Sequence, residues 1–130
     1  MARPRNKSGN GKRRFAMLWH DLMDLPEYIQ LSHKSKNLLT ELLRQYNGRN
    51  NGDFCLTLSV IKKRGWNSND TIRSAAKELI EAELIILTRQ GGRNMCSLYG
   101  ITWEPIDECK NKLDIPPTKT PIKPLSFRRS

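Results

Sequence analysis

The sequence predicts a mainly α-helical domain closed by a small β hairpin. Three observations predict it. Apolar residues recur at helical spacing around residues 33–46, and again around residues 69–82. A Gly-Gly pair at positions 91 and 92 then separates two β-prone runs.

Charge divides the chain further. The 130 residues carry a formal net charge of +10. Residues 1–14 hold six basic residues and no acid, and residues 110–130 hold six basic residues and Asp114. The 95 residues between them come to −1. This predicts a basic disordered arm at 1–14, a domain at 15–109 and a Pro-rich basic tail at 110–130. The arm has nothing to bury. In the tail, Pro116, Pro117, Pro121 and Pro124 leave no room for helix and predict an extended chain. Basic ends on a near-neutral domain attract polyanions.

Composition excludes several classes. Hydrophobic content of 37% with 28% charged residues suits a soluble core with polar surroundings. No apolar run approaches the roughly 18 residues of a membrane span, so no membrane partner is expected. "FAMLWHDLMDL" is interrupted by His20 and Asp21, which argues against a secretory signal and predicts a cytoplasmic address. Cys55, Cys96 and Cys109 show no CxxC spacing and, with only His20 and His33 beside them, predict free thiols rather than zinc ligands. The acidic pairs Asp21/Asp24 and Asp107/Glu108 read as surface carboxylates or caps. "NGRNNGD" lacks the Lys-Ser/Thr of a phosphate-binding loop and reads as a flexible connector. No catalytic set and no cofactor is expected.

The elements follow in order. "FAMLWHDLMDLPEYIQL" suits either a short strand or helical turns. In "SHKSKNLLTELLRQY", Ser32 or Ser35 can cap a helix whose stripe is Leu38, Leu39, Leu42, Leu43 and Tyr46. "FCLTL" reads as a small strand. Ser59 can cap the short helix "VIKKR", which Gly65 stops. The clearest helix carries Ile72, Ala75, Ala76, Leu79 and Ile80 on one face, with Asn69 or Asp70 as its cap. Its other face is Asn69, Arg73, Ser74 and Lys77 early, then Glu78 and Glu81. "LIILTR" and "NMCSLYGITW" flank Gln90-Gly-Gly-Arg93 as a hairpin; a turn centred on the glycines would pair Gln90 with Arg93 and Arg89 with Asn94. Trp19, Trp66 and Trp103 are expected in the core or at a turn.

This is the element order of a winged helix-turn-helix: "GWNSND" as the turn, residues 69–82 as the recognition helix and 85–103 as the wing. "NSNDTIRSAAKELIEAELIILTRQGGRN" resembles the recognition-helix-plus-wing segment of bacterial winged-helix DNA-binding domains. "YNGRNNGDFCLT", "KKRGWNSNDTI", "TRQGG" and "LYGITWEPIDEC" resemble small bacterial winged helix-turn-helix proteins of phages and mobile elements, over residues 14–121. Similarity to the N-terminal winged-helix domains of phage and plasmid replication initiators is weaker. The chain departs from the pattern twice. Glu83 stands where many such sequences have Gly, and the run Gly65-Trp66-Asn67-Ser68 is one residue longer than usual.

The resemblance implies binding of double-stranded DNA, in transcription regulation or in DNA replication of a mobile element. It implies Ser68, Asn69 and Thr71 at the start of the recognition helix, with Arg73, Ser74 and Lys77 on its exposed face. Lys62, Lys63 and Arg64 would meet phosphates before the turn, and Arg89 or Arg93 would do so from the wing. A second reading is a protein–protein interaction module whose Pro-rich tail docks a protein partner.

Overall fold

The longest early helix forms because its apolar positions and its cap agree. Among residues 13–125, which the computed structural model describes, α3 (His33–Gln45) buries Leu38, Leu39, Leu42 and Leu43 along one stripe. Of the two candidate caps, Ser32 is the one used: its Oγ accepts from the Ser35 amide at 3.2 Å. Ahead of it lie two single-turn helices, α1 (His20–Met23) and α2 (Pro26–Ile29), so "FAMLWHDLMDLPEYIQL" resolves into helical turns. All but the last two residues of the basic arm lie outside the described residues.

The remaining elements are β1 (Phe54–Cys55), α4 (Leu58–Ile61) followed by a 3-10 turn (Lys62–Arg64), α5 (Asn69–Glu81), β2 (Ile85–Arg89) and β3 (Leu98–Ile101). Ser59 does not cap α4, whose N-cap is Thr57 and makes no side-chain capping bond. Helix α5 packs on α3 through Ile72, Ala75, Ala76 and Leu79, where the two alanines permit close approach. Ile80 falls outside this face and is exposed.

The strands form one antiparallel sheet in the order β1-β3-β2. The architecture is therefore five helices and a three-stranded sheet, mixed α/β, rather than mainly α with a lone hairpin. Phe54 and Leu87 both pair with Tyr99, and Cys55 and Arg89 both pair with Leu98. The ladder shifts between Leu87 and Arg89, so Thr88 is an extra residue, a bulge. Directly paired residues share a face. The bulge therefore sets Arg89 on the face opposite Leu87, although the two are only two positions apart.

A third layer covers the sheet, and it includes part of the expected tail. Ile106 is buried and exchanges bonds with Thr118, whose amide donates to the Ile106 carbonyl at 2.9 Å. The Asp114 amide donates to the Thr88 carbonyl at 2.8 Å, and that of Lys123 to the Thr102 carbonyl at 2.8 Å. Lys123 Nζ reaches Glu83 at 2.7 Å and Glu27 at 3.6 Å, and Leu125 joins the core. From Lys112 on, the described part of the Pro-rich segment holds neither helix nor strand, and these contacts strap it to the domain.

Asn51 fastens this layer. It is 0% exposed, and its Nδ2 donates to the carbonyls of Ile101, Glu104 and Pro105 at 2.9–3.0 Å. Its Oδ1 accepts from the Ile101 amide at 2.8 Å, and its own amide donates to Asp107 Oδ2 at 2.8 Å. The segment read as a flexible connector is therefore a knot that ties β3 to the strap, and Asp107 is structural.

Glu78, expected on the outer face of α5, instead reaches the start of α3. Its carboxylate accepts from Ser35 Oγ at 2.6 Å and from the Ser32 amide and Oγ at 2.7 and 2.8 Å. The bond from Ser35, with those from Ser32, holds its carboxyl below the ordinary value. No helix among the described residues is long and apolar enough to cross a membrane.

Two expectations follow. Asn51→Ala strands several buried backbone groups at once and should cost about 3–4 kcal/mol in denaturant unfolding. Glu78→Gln should lower the melting temperature at pH 7. Because the folded carboxyl titrates below the unfolded one, its contribution is full above about pH 4.3 and is lost as pH falls further. The gap between variant and parent should therefore close in acid; a gap independent of pH would contradict the capping role.

Candidate nucleic-acid interface

The presented helix is placed by the turn before it. Gly65 ends the 3-10 turn with φ at 100°, a conformation open to glycine at little cost. Trp66 then inserts into the core, and its Nε1 donates to Glu41 Oε2 at 3.3 Å. Ser68 is the cap of α5, accepting from the Thr71 amide at 3.2 Å, so Asn69 and Asp70 occupy the first turn instead. The longer run before the helix is thus accommodated by Trp66 as anchor and Ser68 as cap. Trp103 is buried as expected, whereas Trp19 is exposed.

From this start, Asn69, Arg73, Ser74 and Lys77 are exposed along one side of α5, and Thr71 is half-buried. Arg73 pairs with Asp70 at 2.8 Å, both on the surface, a contact worth little in water. Lys62 and Lys63 are exposed, but Arg64 differs from them. Its Nε is ion-paired and hydrogen-bonded to Glu41, a carboxylate only 4% exposed on α3. Arg64 therefore braces the turn.

The far end of α5 explains the departure at Glu83. The Leu84 amide bonds to the Leu79 carbonyl at 3.1 Å and the Glu83 amide to that of Ile80 at 2.9 Å. This is the Schellman pattern that normally takes glycine. Glu83 adopts it with φ at 63°, and its carboxylate meets Lys123 of the strap. The Lys123 bond and charge hold the Glu83 carboxyl below its ordinary value.

The hairpin turns two residues later than a turn on the glycines would. Gly92 and Met95 exchange bonds at 2.9 and 3.2 Å, so Arg93 and Asn94 form the tip, with Asn94 at φ 60°. Gly91 serves close approach instead. A Cβ there would lie 2.5 Å from the Ser97 nitrogen and 2.7 Å from the Met95 oxygen. Arg93 is exposed at the tip. Arg89 is half-buried and donates to the Cys96 carbonyl at 2.8 Å, so it closes the wing from within.

Thr57, Ser97 and Tyr99 line a cleft between α5 and the sheet, together with Asn69 and Arg73. Sequence reasoning missed these three. Tyr99 is brought near α5 by strand register, and Thr57 and Ser97 by lying just beyond β1 and just before β3, which no local pattern encodes. Burial, more than the nearby Cys55, pushes the Tyr99 phenol above its ordinary value. All three cysteines are free, and burial with Asp53 and Asp107 nearby pushes Cys109 to about 11. Among the described residues no three metal-ligating side chains come together.

No protein-family model, curated protein or solved structure matches this chain.

Removing Arg64 would leave the Glu41 carboxylate buried with one neutral donor. Arg64→Ala should cost about 1–3 kcal/mol in denaturant melts, below the roughly 3–5 of a fully enclosed pair because Arg64 is 42% exposed. A variant as stable as the parent would return Arg64 to the free basic set.

Proposed function

We propose that this chain is a winged helix-turn-helix protein that binds double-stranded DNA, as a regulator or replication factor of a phage or mobile element. In this reading α5 enters the major groove and the hairpin tip meets the backbone beside it. One observation carries the reading. Asn69, Ser74 and Lys77 project from one exposed side of α5 with no bond to any described residue, and Arg73 is tied only to surface Asp70. Such a row supplies donors for base edges and phosphates at no cost to the fold. Lys62, Lys63 and Arg93 lie exposed on the segments flanking the helix. The element order and the three-stranded sheet are compatible with the fold that the reading requires.

Arg64 and Arg89 take structural roles, leaving Arg93 as the wing's contact. Ser68 caps the helix with its hydroxyl, whereas Thr71 gives only its amide to that cap and keeps its hydroxyl for DNA.

A second reading, protein contact, draws on Phe15 and Met17, which are 76% and 54% exposed. It loses the described part of the Pro-rich segment as a free docking arm, because that part is already strapped to the domain.

Anisotropy with a labelled duplex tests the first reading. With Lys62, Lys63, Arg73, Lys77 and Arg93 at phosphates, affinity should fall with salt at a log–log slope of about −4 to −5. Arg73→Ala should weaken binding about equally on every sequence and make the salt slope shallower by about 1, as the loss of one phosphate contact does. A flat salt response would sink the proposal. A loss confined to one sequence would make Arg73 a base reader instead.

A further inference from the structure

An α-helix with its side chains is about 10–12 Å across, close to the roughly 12 Å width of the major groove. A helix that fills the groove therefore brings its flanks against the phosphate backbones. One flank of α5 is a cleft with the sheet on its other wall. Its polar lining is Thr57, Asn69, Arg73, Ser97 and Tyr99, and no carboxylate lines it. Its floor includes Ile72 and Ala76, an apolar surface that a deoxyribose can cover without stranding a polar group.

The donors line one cleft and each keeps a proton or a charge available to a ligand. Tyr99 lies mid-strand in β3, paired with both Phe54 and Leu87, so its side chain shares the sheet face of the buried Phe54. Its hydroxyl has no hydrogen-bond partner among the described residues. Ser97 Oγ accepts from the Gly91 amide at 2.9 Å, which leaves its proton to donate and ties the base of the wing to the cleft. Thr57 Oγ1 contacts Ser59 Oγ at 3.1 Å and Cys55 Sγ at 3.5 Å, and as a hydroxyl it can turn its one proton to a stronger acceptor. Arg73 supplies the positive charge. Its surface pair with Asp70 is weak enough for a phosphate to displace.

We infer that this cleft seats one phosphodiester and its sugar from a single DNA strand, held by Tyr99, Thr57 and Ser97 as hydroxyl donors and by Arg73 as the charge. The inference rests on the DNA-binding reading and adds to it a backbone subsite formed by the sheet. Tyr99 fixes the register of the helix in the groove and carries no sequence information.

The test is Tyr99→Phe, which removes one oxygen and keeps the ring, in the full chain. Circular dichroism melts confirm folding, and Thr57→Val serves as a second variant. Each should bind labelled duplexes about three- to ten-fold more weakly, alike on different sequences. The salt slope should not change, because a neutral hydroxyl releases no counterion. On a duplex whose contacted phosphate is replaced by a methylphosphonate, parent and Tyr99→Phe should bind equally. Inorganic phosphate at matched ionic strength should not compete.

Variants that bind as the parent does, while Arg73→Ala is impaired, overturn the subsite and leave DNA binding standing. A loss confined to one sequence makes Tyr99 a base reader and also overturns it. Competition by inorganic phosphate would mark a free-anion site instead. A parent that binds no duplex ends both proposals.

Discussion

The buried carboxylate of Glu41 sets where the presented helix begins. It sits on α3 beside the leucine stripe, where an unpaired charge would be costly. Arg64 and Trp66 satisfy it from the 3-10 turn and the residue after Gly65. The observed placement of that turn brings one donor to each oxygen. The turn in turn fixes Ser68, and Ser68 fixes the first residue of α5. The pair's main effect is therefore positional, which is the best-attested use of a buried ion pair.

A second carboxylate closes the arrangement from the other side. Glu78 on α5 accepts from Ser32 and Ser35 at the start of α3. Each helix thus holds a carboxylate that secures a segment next to the other, around an apolar contact narrowed by Ala75 and Ala76. The α3–α5 unit is thus fastened by polar bonds as well as by its apolar contact, and β1 and β2 pack against it. Under the proposed DNA-binding reading such pre-organisation favours groove entry, because ordering cost is met in folding rather than in binding.

The helices and the existence of the hairpin were legible because their signals are local: periodicity, caps and paired glycines. What was not legible depends on partners distant in sequence. The hairpin's turn shifts because Gly91 must pass close to Ser97, and Arg89 changes face because Thr88 bulges to bond Gly52. Asn51 looks like any loop asparagine until β3 and residues 104–107 converge on it. The Pro-rich segment has no periodicity to read, and its attachment relies on Lys123, Leu125 and single amides meeting far elements. Of the expected site, the exposed row on α5 follows from helical geometry alone. Arg64 is drawn away by a carboxylate 23 positions earlier, and the sheet's hydroxyls join the site only through strand register.

The central claim is that the exposed row on α5 reads DNA. Selection of bound sequences from random duplex DNA tests it most directly, run in parallel with the parent and with Asn69→Ala and Ser74→Ala. The account expects the parent to enrich a short motif, and each variant to relax one part of that motif while leaving the rest. Enrichment of no motif, or a motif indifferent to both substitutions, would contradict it.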